Sequence, residues 1–190
     1  MARGTRSSMV RSAAALLRQE GVRGTSFGRV LDHSGAPRGS IAHHFPGGKD
    51  ELMHEALVAS SAEITEAIDG LRGHGATAAH VVGAMCDYFA AELDATGWRS
   101  GCPVAAVAME AHEHPALRSE AAQILAGWRR TLVDLLVAQG VERDTAIELT
   151  ELSVAAVEGA LISARLQRSR APLDTVSRQL CALLRSSTHA

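Results

Sequence analysis

Apolar residues in this chain recur at intervals of three and four, and two-residue alternation is nearly absent. Val10, Ala13, Ala14 and Leu17 form one stripe, which predicts a first helix over Ser7 to Gln19 with Gly21 as its stop. Thr25 and Ser26 are N-cap candidates for a second helix, with Phe27, Val30 and Leu31 facing inward. Ser34-Gly35-Ala36 reads as a turn. Pro37 then suits the first turn of a third helix reaching about Phe45, and Pro46-Gly47-Gly48 ends it. A fourth helix runs from near Lys49 to about Leu71 and breaks at Arg72-Gly73-His74-Gly75, close to which a boundary is expected.

The remaining helices are marked by prolines and glycines. The fifth covers about Thr77 to Ala95. Pro103 opens a sixth that ends near Glu113, and Pro115 opens a seventh that carries Leu117, Ala121, Ile124, Leu125, Trp128, Leu132, Leu135 and Leu136 on one face. Gly140 caps it. Asp144 is the cap candidate for the eighth, and Pro172 precedes a ninth with Leu173, Val176, Leu180, Leu183 and Leu184. The pattern predicts an all-α protein of about nine helices. A three-helix helix-turn-helix head takes residues 1–50, and a helical bundle takes residues 51–190.

Thr25 to Phe45 gives the head its meaning. Two short helices joined by a tight glycine turn form a helix-turn-helix, whose second helix lies in the DNA major groove. Charge agrees with this. Residues 1–49 hold eight Arg and Lys against Glu20 and Asp32, while residues 50–190 hold eleven against nineteen acidic side chains. A basic head on an acidic body points to an anionic partner for the head alone. Arg38 can donate to guanine or to phosphate, and a bidentate base contact is worth ~1–3 kcal/mol of discrimination. Gly39 and Ser40 are small enough for close approach, and Ser40, His43 and His44 are the other groove candidates. Thr25 and Ser26 offer hydroxyls and helix-end N–H groups to phosphate. Lys49 reads as a further phosphate clamp, and Arg3, Arg6 and Arg11 as a flexible basic arm.

Other chemistry is sparse. Cys86, Cys102 and Cys181 stand far apart, without the pairing of a disulfide framework or zinc site, and fit a reduced cytoplasm. Cys102 near a helix start is the candidate for a thiol of lowered pKa. The N-terminus lacks an apolar signal region, and no run approaches the ~18 apolar residues of a membrane span. His43 and His44 diverge by about 100° on a helix and make no metal pair. The HEHP at 112–115 lacks the spacing of a zinc hydrolase. No catalytic residue, metal or cofactor is expected.

The segment GAPRGSIAHHFPGGKDEL, preceded by TSFGRVLDHS, resembles the N-terminal motif of the TetR family of bacterial transcriptional repressors. The GAP-R-GS and FPGGK details, and GCPVAAVAME further on, resemble its lincomycin-resistance-type, LmrA-like branch. The motif match covers about residues 8–55. Members of this family usually carry a tyrosine where Ala42 stands, and its ring and hydroxyl meet the DNA backbone; Ala42 cannot do so.

The resemblance implies a ligand-responsive repressor that binds a palindromic double-stranded operator as a homodimer. Helix eight is apolar around much of its surface and must be buried on more than one side. The resemblance assigns that burial to a four-helix seam of the last two helices of each copy, with Ile147, Val154, Leu161, Val176, Leu180 and Leu183 as interface residues. It also implies a small-molecule inducer in the body. Met85, Phe89, Trp98, Met109 and Trp128, with Glu110 and His112, are the lining candidates, because bulky soft residues gather there with a few polar groups. Two alternatives remain. One is an all-α metal-dependent enzyme using Glu110, His112 and His114; the other is a DNA-binding protein with no inducer.

Overall fold

The computed structural model describes residues 2–110 and 112–188, with side chains from residue 4 onward. Among them are nine α-helices and no strand: α1 (Ala2–Gly24), α2 (Phe27–Ser34), α3 (Ser40–His44), α4 (Gly48–Gly73), α5 (Ala78–Ala95), α6 (Pro103–Ala108), α7 (Pro115–Ala138), α8 (Arg143–Gln167) and α9 (Ala171–Ser187). The chain forms two compact units, Met1–Glu63 with Cys102–Ile124, and Ile64–Gly101 with Leu125–Ala190. The expected cut after residue 50 is therefore not where the chain divides: Cys102–Ile124 folds with the head.

In the first unit α1 packs on α2 and on α6. Met9, Ala13, Leu16 and Leu17 of α1, Val30 and Leu31 of α2, Phe45 after α3, and Leu52, Met53 and Leu57 of α4 form its buried side. The helix begins earlier than its apolar stripe suggests, so Arg6 and Arg11 stand on α1 and not on a flexible arm. The side chain of Arg3 lies outside the described residues. Gly21 breaks α1 at φ +75°, and one further turn follows, ending at Gly24. Ser26 caps α2, accepting from the Arg29 N–H, and Gly35 ends it in the left-handed region. The turn from Gly35 to Gly39 delays α3 to Ser40, whose N–H bonds the Pro37 carbonyl at 2.9 Å.

Helix α6 is six residues long and stops well before Glu113. Pro103 fixes its first turn, and at its end the Glu110 N–H turns back to the Val107 carbonyl at 3.0 Å. That tight turn aims the Glu110 carboxylate at α1. It accepts from Val22 N–H at 3.0 Å and from Arg23 N–H at 2.9 Å, the two donors that the break at Gly21 leaves without helical partners.

In the second unit α5 packs on α9 and α8, and α8 on α9. Ala78, Ala79 and Val82 meet Leu132, Val133, Leu136, Ala146, Leu149, Leu180 and Leu184 in one core. Glu142, not Asp144, caps α8: its carboxylate accepts from the N–H groups of Asp144 and Thr145, which holds its pKa below the ordinary value. Pro172 lies inside the first turn of α9 and not before it.

A methyl at Gly21 would adopt an unfavourable φ and collide with Glu110 Oε1. Gly21→Ala is expected to lower stability by about 1–3 kcal/mol in urea unfolding. In a Glu110→Ala background the same change should cost measurably less, because the collision is gone and only the backbone strain remains.

Candidate nucleic-acid interface

Helix α3 has no buried residue. Arg38, Gly39, Ala42 and His43 are exposed, and Ser40, Ile41 and His44 are half-buried. The Ser40 hydroxyl donates to the Pro37 carbonyl at 2.6 Å, which fixes the entry to α3. The His43 and His44 rings meet edge to face at 5.0 Å. Phe45, immediately after α3, is the buried anchor of this segment; Ile41 and Phe27 are only partly covered.

A helix of one and a half turns cannot hold its own shape in water. Arg6 holds it here. Its Nε donates to the His44 carbonyl at 3.3 Å, at the C-terminal end of α3. Its terminal nitrogens pair with Glu55 and, at 3.2 Å, with Glu51, both on α4. Its guanidinium carbon lies 4.8 Å from the centre of the Phe45 ring. The two carboxylates raise the Arg6 pKa further, so this brace is charged at every working pH. Sequence reading missed this role because the partners lie 38 to 49 residues away.

Four more cations of the head are engaged in a similar way. Arg18 pairs with Glu63 at 3.8 Å, Arg23 with Glu113, and Arg29 with Glu20. Lys49 Nζ donates to the Val22 carbonyl at 2.8 Å, so its ammonium holds the turn that Glu110 holds from the other side. Thr25 is buried, with its hydroxyl donating to the Gly21 carbonyl at 2.8 Å. Thr25 and Lys49 thus brace the scaffold, while Ser26, Arg38, Gly39, Ser40 and His43 face outward. Counted as a folded unit, Met1–Glu63 with Cys102–Ile124 carries nine basic and nine acidic side chains. The positive excess of residues 1–49 is cancelled by α4 and by the elements that pack on α1.

The residues expected around an inducer fall in both units. Met109 is 82 % exposed, His112 is exposed beside Glu113, and Glu110 is bonded to α1; all three belong to the first unit. Met85, Phe89, Trp98 and Trp128 belong to the second. Phe89 is buried and meets Tyr88 edge to face at 5.4 Å. Trp128 Nε1 donates to Thr65 Oγ1 at 2.8 Å. Trp98 adopts a left-handed φ of 67° in the loop after α5. Cys102 is buried at the N-cap of α6, and burial pushes the Cys86 thiol up to about 11.

The seam residues also divide. Leu161 and Leu180 are buried within their own unit, Leu180 in the main core, and are not free for a partner. Ile147, Leu152, Ile162, Leu166 and Leu183 are the large apolar side chains left exposed on α8 and α9, and Val154 and Val176 are half-covered. Ile147 stands seven residues before Val154, within about 20° of it around the helix at ~100° per residue. It also lines a cleft with α7. No helix among the described residues is long and apolar enough to cross a membrane.

A braced, outward-facing second helix after a glycine turn defines a helix-turn-helix DNA-binding regulator. The family pattern of bacterial regulatory proteins of the tetR family matches residues 10–56, and that of the LmrA/YxaF-like transcriptional regulator C-terminal domain matches residues 78–179. The chain belongs to the TetR family of transcriptional regulators. It is 37 % identical over 188 residues to an uncharacterised HTH-type transcriptional regulator of Mycobacterium tuberculosis, covering 95 % of this chain and 94 % of that one. The HTH-type transcriptional regulator LmrA of Bacillus subtilis is 25 % identical over 95 % of this chain and 97 % of its own. A TetR transcriptional regulator from Chloroflexus aurantiacus superposes with a TM-score of 0.78 at 29 % identity over 96 % of each chain. The regulatory protein TetR from Rhodobacter sphaeroides has the same fold, with a TM-score of 0.82 at 21 % identity over 93 % of this chain and 96 % of that one. These relatives are regulators and not enzymes.

The Arg6 brace predicts a local effect on α3. Arg6→Gln should accelerate amide hydrogen exchange at residues 40–45 by about fivefold, the scale expected for ~1 kcal/mol of partly exposed ion pairing. Arg38→Ala should leave those rates unchanged.

Proposed function

We propose that the protein is a ligand-responsive repressor that acts in the cytoplasm as a two-fold dimer on a palindromic operator. The observation that carries this is α3 itself. It has no buried residue, is held at both ends, and leaves Ala42 and His43 exposed beside Arg38 and Gly39 of the turn before it. Such a helix fits the major groove, with Arg38 as base or phosphate donor and Ser26 and His44 at the flanking phosphates. With Ala42 in place of the usual tyrosine, more of the discrimination falls to Arg38 and His43.

Dimerisation follows from the apolar side chains that the second unit leaves uncovered. Leu152, Ile162, Leu166 and Leu183, with Val154 and Val176, suit a second copy of α8 and α9. Two heads presented by such a pair must stand ~34–36 Å apart to enter successive major grooves. The inducer reading narrows to Met85, Phe89, Trp98 and Trp128 of the second unit, which suit a small apolar or amphipathic molecule. To move a population from 1:99 to 99:1, it must prefer the released state by ~5.5 kcal/mol.

Selection of oligonucleotides from a random pool with the full-length protein tests the operator reading. Recovery of a two-fold symmetric site is expected, and recovery of no shared sequence would overturn it. On the selected site, Arg38→Ala should raise Kd by about tenfold, with the dimer intact by sedimentation. Leu166 is 81 % exposed, so Leu166→Asp should leave the fold unchanged. It should weaken self-association by about 2 kcal/mol or more, seen as a concentration-dependent shift to monomer.

A further inference from the structure

We propose that a cleft between α7 and the start of α8 is a binding site for a small organic acid. The cleft has a volume of about 290 Å³ and lies wholly within the second unit. It shares no residue with the DNA-reading surface or with the Met85, Phe89, Trp98 and Trp128 set.

Two unpaired groups point to an acidic ligand. Thr150 is 1 % exposed, and its Oγ1 has no hydrogen-bond partner although it belongs to the lining. Arg129 Nε is likewise buried and unpaired. A buried hydroxyl or guanidinium N–H left unsatisfied costs free energy that a bound acceptor restores. The Arg129 Nε–H can only donate, and the Thr150 hydroxyl can donate as well, so what completes both is an oxygen acceptor.

Charge selects the kind of acceptor. Arg130 and Arg143 stand at the same cleft, exposed, and form no ion pair among the described residues. Of the two acids there, Glu151 is neutralised by Arg129 at 2.7 Å, leaving Asp134 against two free guanidinium groups. An anionic head is therefore favoured. Val133 and Ile147 supply an apolar wall, which a carboxylate with a short hydrocarbon or aromatic body covers and inorganic phosphate does not.

The test uses the full-length protein and benzoate as probe, followed by amide shifts in NMR and by thermal unfolding. At ~0.3 kcal/mol per heavy atom, the efficiency of drug-sized ligands, benzoate would bind with a Kd of about 10 mM. A saturable response localised to residues 129–134 and 143–151 is expected, and benzyl alcohol, of similar shape but uncharged, should give none. Arg143→Gln and Thr150→Val should each weaken benzoate by about tenfold or more, and Ile147→Gln by about fivefold. Arg143 and Ile147 are exposed, so those two variants stay informative if Thr150→Val fails to fold. No saturable response up to ~50 mM benzoate, about five times that Kd, would overturn the proposal. Equal binding by the alcohol, or variants that bind as the parent does, would also overturn it. Inorganic phosphate binding as tightly as benzoate, with Ile147→Gln without effect, would reduce the cleft to a simple anion site and reject the organic-acid assignment.

Discussion

The head depends on one residue, Val22, whose backbone is held from both sides. Where α1 breaks at Gly21, the Val22 N–H is received by Glu110 and the Val22 carbonyl by Lys49. Both partners come from later in the chain, one from the turn after α6 and one from the start of α4. A helix break in water exposes backbone groups cheaply; a break inside a packed unit must find partners for them. Here they are found with charged groups, whose hydrogen bonds are about twice as strong as neutral ones. The glycine is required on two counts, by its left-handed φ and by the space the Glu110 carboxylate occupies.

The same economy governs the cations. In the linear sequence the first 49 residues look like a polyanion-binding arm. In the folded unit, Arg6, Arg18, Arg23 and Arg29 each face a carboxylate, and the unit as a whole is balanced. The field that reaches solvent near α3 is therefore carried by a few side chains, Arg38 foremost. Non-specific affinity grows with the number of phosphates neutralised. A head built this way gives up some of that general attraction and depends more on the fit of α3.

Helix number, order and most boundaries were legible because glycines, prolines and caps are local signals. Ser26, Gly35, Thr77, Pro103 and Pro115 act within a few residues of themselves. Errors arose where a distant partner decided the outcome. The early start of α1 is supported by Arg6 on Glu51 and Glu55, and the early stop of α6 by the use of Glu110 on α1. The cap of α8 went to Glu142 because its longer side chain reaches two N–H groups. At the candidate site, exposure of Arg38 and His43 agrees with the motif, but periodicity alone could not separate Leu161 and Leu180, inside the core, from Leu152 and Leu166, outside it. All four are leucines on an apolar stripe, and only the tertiary packing tells them apart.

Helix α3 contributes nothing to the interior, so its outward positions are free of any duty to the fold. On the proposed reading, substitution at Ala42 or His43, or at Arg38 in the turn before α3, alters what is read without altering what stands. Target preference and structural integrity are thereby uncoupled in inheritance: one scaffold can be retuned to new control sequences by single exposed changes, each passing through a folded intermediate.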